Sequence, residues 1–300
     1  MTMAVSAGAQ RQTLGILLMI ATAFVIQVVD GLAKHLSADY SPLFIGWARY
    51  AVACLIVLPY AAILHGRHMF PAERLGSHVL RTVFLVTAMT LYFVAIAFIP
   101  LATAISAFFV SPVIAVVLAI FLLKERMTAA KGISLVLGFV GAMVILQPGG
   151  AIDPGILLAL AAGVCFAFYM IATRQAATGS DPVKTLAFQC AVGALLLAPQ
   201  AVATWSTPAW SDLVFFAGLG LFSAIGHLMS IVAFRYADTS TLAPLVYVEL
   251  IGAALIGYIA FNEIPGWPTI IGAAFIVGAG LILIRQKNGL AAADQNVAAE

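Results

Sequence analysis

The sequence predicts an all-α membrane protein with ten transmembrane helices, and three observations support this fold class. Of the 300 residues, 63% are hydrophobic and 9% are charged, whereas soluble proteins carry about 25% charged residues. Apolar segments of about 18 to 25 residues recur along the chain, the length that crosses a hydrocarbon core of about 30 Å as a helix. The chain also contains an internal repeat.

The repeat aligns residues 15–59 with residues 155–199 at a constant offset of 140, with 10 identities in 45 positions. The identities gather at helix starts and helix breakers, such as Pro42 with Pro182. We therefore predict a duplicated unit of five helices. The predicted parts are a cytoplasmic tail (1–12), a first repeat (13–150), a second repeat (151–288) and a disordered cytoplasmic tail (289–300).

Hydropathy divides the two repeats into ten spans. They cover residues 13–35, 41–64, 78–98, 102–123, 129–147, 154–174, 182–203, 211–235, 240–261 and 267–285. The first is interpreted as a helix and not as a signal peptide, because no small-x-small cleavage site interrupts it. Pro100 separates the third span from the fourth, since a run of about 45 residues is too long for one crossing.

The distribution of Lys and Arg predicts the orientation. With a cytoplasmic N-terminus, twelve cations, Arg81 among them, fall on the cytoplasmic side. Only Lys34 falls outside, and Arg49 lies inside the second span. Both termini are therefore predicted to be cytoplasmic. Because each repeat has an odd number of helices, the second must enter the membrane from the opposite face, which makes the repeats inverted.

A glutamate closes the fourth helix of each repeat, Glu125 in Leu-Lys-Glu-Arg and Glu263 in Phe-Asn-Glu-Ile. Together with the length, the ten helices and the duplication, this resembles the EamA family of the drug/metabolite transporter superfamily over residues 13–285. The resemblance implies a ten-helix carrier of small metabolites, with amino-acid exporters among its bacterial members. The second glutamate departs from the family pattern, because Ile264 follows it where an Arg is usual.

Inverted repeats predict a substrate site near the membrane midplane, so polar residues within the spans are the candidates. Glu249 in the ninth span is predicted to carry the coupling proton or to bind a substrate amine; a locally bonded carboxyl that helps packing is the alternative. Asp30 and Arg49 are at similar depths, which predicts either a structural ion pair or a clamp for a zwitterion. Lys34, four residues after Asp30, is a competing partner.

Aromatic and imidazole side chains complete the predicted substrate site, although ordinary packing or a membrane-interface position would explain each of them as well. They are Trp47, Tyr92, Tyr169, His227 and Tyr247.

Enzyme, cofactor and metal motifs are missing from the sequence. The three cysteines lie inside apolar runs, so we expect neither a disulfide nor a metal site. We expect a small-molecule substrate and the lipid bilayer as partners, and no nucleic acid. Glycines in the fifth and tenth spans predict close helix packing, within the chain or in a homodimer.

We therefore predict a secondary transporter that exports small metabolites, in particular amino acids including aromatic and hydrophobic ones, across the inner membrane by alternating access. The alternatives are an exporter of other amphipathic metabolites or drugs, a channel, and a membrane-embedded enzyme acting on lipid.

Overall fold

The structure is a computed structural model that describes residues 2–122, 129–146, 153–176, 181–236, 248–279 and 281–282. Within these ranges the regular elements are helices, and no strand occurs. Ten apolar helices are present there: six are long enough to cross a membrane, and four are shorter. The all-helical fold class is thus confirmed for the described part of the chain.

Eleven labels cover these helices, because the fourth is broken into two parts. They are α1 (Thr2–Leu36), α2 (Pro42–His65), α3 (Leu75–Phe98), α4 (Leu101–Phe108), α5 (Val110–Leu122), α6 (Ala129–Leu146), α7 (Pro154–Ala176), α8 (Pro182–Ala203), α9 (Leu213–Tyr236), α10 (Val248–Phe261) and α11 (Trp267–Ala279). Glu125, Tyr247 and the predicted disordered tail lie outside the described residues.

The second helix of each repeat begins in the same way. Ser41 caps α2 by accepting a hydrogen bond from the Leu43 amide at 3.3 Å, and a proline opens the helix. Asp181 caps α8 by accepting from the Val183 amide at 2.9 Å, again ahead of a proline. A capping side chain satisfies an amide that has no partner inside the helix, and proline has none to satisfy. The repeated prolines thus mark equivalent helix starts.

The break between α4 and α5 falls at Phe109. Proline at position 112 has no amide hydrogen to donate to the carbonyl of Phe108, four residues earlier, which interrupts the helical hydrogen bonds at this point. Gly163 of α7 packs against that carbonyl, because a Cβ atom built there would lie 2.6 Å from the Phe108 oxygen. A glycine at 163 is therefore required for α7 to pass the break.

Helix pairing follows the internal repeat. α1 packs against α9 and α10, while its counterpart α7 packs against α3 and against α4 and α5. α2 packs against α9, while its counterpart α8 packs against α3. α2 also packs against its own counterpart, α8. The pattern is unchanged when each helix of the first repeat is exchanged for its counterpart in the second.

Glycines bring α6 and α11 into backbone contact. A Cβ atom built on Gly141 would lie 2.7 Å from the Gly272 carbonyl oxygen, and one built on Gly272 would lie 2.7 Å from the Gly141 oxygen. Only glycine at both positions allows this approach. These two glycines therefore serve packing within the chain, and the homodimer stays a prediction.

The outer surface is apolar over much of its area. Large hydrophobic side chains such as Ile63, Val202 and Phe121 are 82%, 76% and 75% exposed. Exposed apolar patches of this kind are rare on soluble monomers. An apolar surface is suited to contact with the lipid tails of a membrane. Charged side chains such as Asp30 and Arg49 are buried inside this apolar shell.

Candidate functional site

Asp30 on α1 is the centre of an acidic cluster. Its side chain is 4% exposed and accepts a hydrogen bond from Gln27 Nε2 at 3.3 Å. Tyr92 on α3, which is 2% exposed, and Glu249 on α10 both lie within electrostatic range of Asp30. Two carboxyl groups and a tyrosine hydroxyl, carried by three helices, therefore face one interior region.

Glu249 lies on α10, whose described part begins at Val248. Its side chain is half-buried. Its role as the coupling acid stays a prediction.

Arg49 on α2 is a buried cation, 3% exposed, that interacts electrostatically with Asp30. Its Nε donates to Ser223 Oγ at 2.7 Å, and Nη2 is hydrogen-bonded to Nε2 of His227, so both partners lie on α9. The rings of Tyr50 and Phe93 each have their centroid 5.4 Å from the guanidinium carbon. Arg49 is thus held by two aromatic faces and two polar partners from the other repeat.

The predicted direct ion pair between Asp30 and Arg49 is wrong for this structure. Both residues are described, yet none of their charged atoms approach within the 4.0 Å that defines an ion pair. The two groups interact only at longer range. Equal depth in two helices does not fix the direction of the side chains, and the guanidinium is turned towards α9.

Lys34 does not pair with Asp30 either. Its Nζ lies 2.8 Å from a carboxylate oxygen of Glu263, and it donates to the carbonyls of Ile96 and Ile99 at the end of α3, at 2.9 and 2.7 Å. The other carboxylate oxygen of Glu263 accepts from the Leu101 amide at the start of α4, at 3.0 Å. This ion pair therefore joins the α3–α4 junction to the segment after α10.

Arg81, one of the cations predicted to lie on the cytoplasmic side, is buried, while its side of the membrane stays a prediction. It lies inside α3 and is 6% exposed. Its Nη2 donates to Gln189 Oε1 on α8 at 2.9 Å, and the Tyr169 ring centroid is 5.7 Å from its guanidinium carbon. The internal repeat could have indicated one member of this pair. Gln189, the partner of Arg81, lies 140 positions after Arg49 and is therefore its counterpart in the second repeat.

The remaining predicted site residues divide by location. Trp47 belongs to an aromatic group near the start of α2, stacked on Phe44 at 5.8 Å and edge-on to Trp205 at 5.9 Å. Tyr169 lies beside Arg81 on α7. Tyr92 lies near Asp30, and His227 is hydrogen-bonded to Arg49. The structure thus brings Asp30, Arg49, Tyr92, His227 and Glu249 into one region, while their role in binding stays a prediction.

An apolar groove lies apart from these polar groups, between α2, α8 and α9. Its volume is about 110 Å³, and it is lined by nine residues, of which only Tyr60 carries a polar side-chain atom. Its lining includes Ile56 and Leu221, which are 40% exposed on the apolar surface. The buried charged cluster, and not this groove, has the groups that a polar solute requires.

An apolar helical bundle with acidic and basic side chains in its interior defines a membrane protein that handles a polar solute. The chain belongs to the EamA-like transporter family, whose profile matches residues 13–147 and again residues 153–285. The family resemblance and the prediction of a multi-pass inner-membrane protein are thereby confirmed.

Relatives from three organisms are similar to most of the chain. The S-adenosylmethionine uptake transporter of Rickettsia prowazekii is 28% identical over 85% of this chain and 87% of its own length. The riboflavin transporter of Vibrio cholerae is 24% identical, covering 95% and 97%. The pseudopaline exporter of Pseudomonas aeruginosa is 26% identical, covering 92% and 97%. Since all three are transporters of small metabolites, the chain is a transporter and not an enzyme.

A solved crystal structure shares the fold. It is 20% identical in sequence, covers 91% of this chain and 98% of its own, and superimposes with a TM-score of 0.65. At this identity the likeness shows the fold alone.

Proposed function

We propose that the protein is a secondary transporter of amino acids and of metabolites that carry an amino-acid group, including those with aromatic or hydrophobic side groups. The observation that carries this proposal is the joint burial of Arg49 with Asp30 in one interior region. A guanidinium binds a carboxylate through paired hydrogen bonds, and a carboxylate binds an ammonium group. A zwitterion presents both partners at once.

In this mechanism Arg49 holds the carboxylate of the substrate and Asp30 holds its ammonium group. Ser223 and His227 fix the guanidinium from α9, so that its orientation is set before the substrate enters. The rings of Tyr50 and Phe93 exclude water from it. Removal of water strengthens each of these electrostatic contacts.

One relative has a substrate of this chemistry. S-adenosylmethionine carries an α-amino and an α-carboxylate group beside a heteroaromatic part, whereas riboflavin, the substrate of another relative, is a flat heteroaromatic compound without either group. The same relatives include both an uptake transporter and an exporter. Export is the direction proposed here, from the resemblance to bacterial exporters, and it is tested separately from the substrate.

Glu249 is proposed as the coupling acid. It lies on α10, near Asp30 of α1 and Tyr92 of α3. If the two repeats are inverted, as the exchangeable helix pairing supports, a rocking motion would expose this region first to one side of the membrane and then to the other. A proton on Glu249 would then be exchanged with each side in turn.

Exchange in proteoliposomes tests the proposal. Proteoliposomes that contain the purified protein are loaded with unlabelled phenylalanine, methionine, S-adenosylmethionine or riboflavin, and the entry of the same compound in labelled form is measured. We expect exchange of the first three to be faster than in vesicles loaded with buffer. A channel would show no such acceleration, and a lipid enzyme would show product without exchange. Exchange of riboflavin alone would contradict the zwitterion proposal.

A further inference from the structure

Arg81 and Gln189 form a second buried polar pair, which the proposed function does not use. Arg81 lies in the second turn of α3 and Gln189 in the second turn of α8. They are 6% and 1% exposed, and their hydrogen bond is 2.9 Å long. Among the described residues, no carboxylate oxygen lies within 4.0 Å of Arg81. Within the part of the chain that the structure describes, this buried guanidinium therefore has a neutral amide as its partner and no counter-ion.

Three hydrogen-bond donors around this pair lack an acceptor within the described structure. They are Arg81 Nε, Gln189 Nε2 and the hydroxyl of Tyr50, a residue that is 3% exposed. Buried donors are almost always satisfied in folded proteins, and leaving one unsatisfied destabilises the fold. A set composed of donors, one of them cationic, matches an anionic group with several lone pairs.

Packing places Tyr50 next to α3 and α8. The Tyr50 ring contacts Gly193, one turn after Gln189 on α8; a Cβ atom on Gly193 would lie 2.6 Å from that ring. Tyr50 also packs in a cluster with Val86 of α3, which follows Arg81 by five residues. Tyr50 is thus wedged between the two helices that carry the pair.

Aromatic side chains border this region on another side. The ring centroid of Tyr169 on α7 lies 5.7 Å from the Arg81 guanidinium carbon, and this ring packs at a tilt against Phe166, with centroids 5.2 Å apart. Tyr50 and Tyr169 are within electrostatic range of each other. A carboxylate bound to Arg81 would therefore have aromatic faces available for an apolar tail.

The Arg81–Gln189 pair lies at the helix interface that the repeat makes equivalent to the interface of Arg49. Arg49 on α2 is bonded to α9, and Gln189, its counterpart 140 positions later on α8, is bonded to α3. Exchange of the two repeats converts one helix pair into the other. The two equivalent helix interfaces, α2–α9 and α3–α8, thus each contain one guanidinium, and both arginines come from the first repeat.

We propose that Arg81, Gln189 and Tyr50 form a second binding site for a carboxylate, beside Arg49, whose guanidinium packs on the Tyr50 ring. The inference rests on the proposed function only in taking this carboxylate to be that of the transported metabolite. Arg81 supplies the charge and a second donor, Gln189 supplies its amide nitrogen, and Tyr50 supplies its hydroxyl.

Ligand-dependent thermal unfolding of the purified full chain tests the site. The probes are 3-phenylpropionate, which has the carboxylate alone, phenethylamine, which has the amine alone, and sodium chloride as an anion control. Arg81→Gln removes the charge, and Gln189→Glu supplies an internal carboxylate to Arg81. Arg67→Gln, at an exposed arginine after α2, is the matched control.

We expect 3-phenylpropionate to raise the unfolding midpoint more than phenethylamine or chloride does. Arg81→Gln should weaken its apparent affinity by about tenfold to hundredfold, as the loss of hydrogen bonds to a charged group implies. Gln189→Glu should abolish binding while the chain stays folded, so it decides the question if Arg81→Gln does not fold. Arg67→Gln should bind as the parent does.

Three results would overturn the site: no stabilisation of the parent by 3-phenylpropionate, equal stabilisation by chloride, or parent-like affinity in Gln189→Glu. Amino-acid exchange in proteoliposomes separates this failure from that of the proposed function. Exchange without Arg81-dependent carboxylate binding would leave transport standing and remove the second site. Carboxylate binding that depends on Arg81, without amino-acid exchange, would support the second site and contradict the proposed transport.

Discussion

Lys34 and Glu263 form an ion pair of 2.8 Å between residues that belong to different repeats. Their side chains are 13% and 19% exposed, so water screens the pair only in part. Lys34 also binds carbonyls at the end of α3, and Glu263 binds an amide at the start of α4. Each charge thus lies at the helix end whose dipole it complements.

The first prediction concerns this ion pair. Lys34→Gln and Glu263→Gln should each lower the thermal unfolding midpoint by about 2–4 °C. The double variant should lose little more than one single variant, because both changes remove the same interaction. Glu73→Gln, at an exposed acid before α3, is the control and should have no effect. Additive losses in the double variant would mean that the two charges act separately.

The second prediction concerns the partners of Arg49. Since its Nε donates to Ser223, Arg49→Lys and Ser223→Ala should be strongly non-additive in unfolding free energy or in transport. Arg49→Lys and Asp30→Asn should be closer to additive, because these residues form no direct ion pair. Double-mutant cycles measure both couplings. A larger coupling with Asp30 than with Ser223 would indicate that the direct pair exists after all.

The sequence was sufficient for the helices and insufficient for the directions of side chains. Pro42 and Pro182 predicted equivalent helix starts because proline fits the first turn wherever it occurs. The Asp30–Arg49 pair failed because depth along a helix leaves the rotation of the side chain open. Lys34 and Glu263 are 229 positions apart (34 and 263), so only the packed structure brings them together.

Arg81 shows a different limit. An arginine close to the predicted start of a span is typical of a cytoplasmic cation, and the orientation rule counts it so. Arg81 lies inside both the predicted span, 78–98, and the observed helix α3, and its side chain is turned towards α8. Its position along the span therefore did not show that this charge is buried.

The third prediction concerns orientation and inversion. Cys54, Cys165 and Cys190 are replaced by alanine, and single cysteines are introduced as Arg67→Cys and Trp210→Cys. These positions lie in equivalent loops of the two repeats, after α2 and after α8, and Trp210 is 91% exposed. A membrane-impermeant maleimide should label Trp210→Cys in intact cells and Arg67→Cys only after lysis. Labelling of both from the same side would contradict the inverted repeats.

The fourth prediction concerns Glu249. Glu249→Gln removes its titratable proton while the neighbouring Asp30 and Tyr92 are kept. Transport driven by an imposed pH gradient should be lost, while exchange at equal pH on both sides should continue. Glu73→Gln should respond to the gradient as the parent does. If Glu249→Gln also responds like the parent, its carboxyl serves packing and not coupling.

The proposed transport role depends most directly on recognition of a zwitterion by buried Arg49. The measurement is exchange of labelled phenylalanine in proteoliposomes loaded with phenylalanine, with its methyl ester or with phenethylamine. We expect the zwitterion alone to accelerate entry of the label. Arg49→Lys, which keeps the charge but loses the planar fork, should reduce that acceleration about tenfold or more. Equal acceleration by phenethylamine, or an unchanged rate in Arg49→Lys, would contradict the role of Arg49 as the carboxylate site.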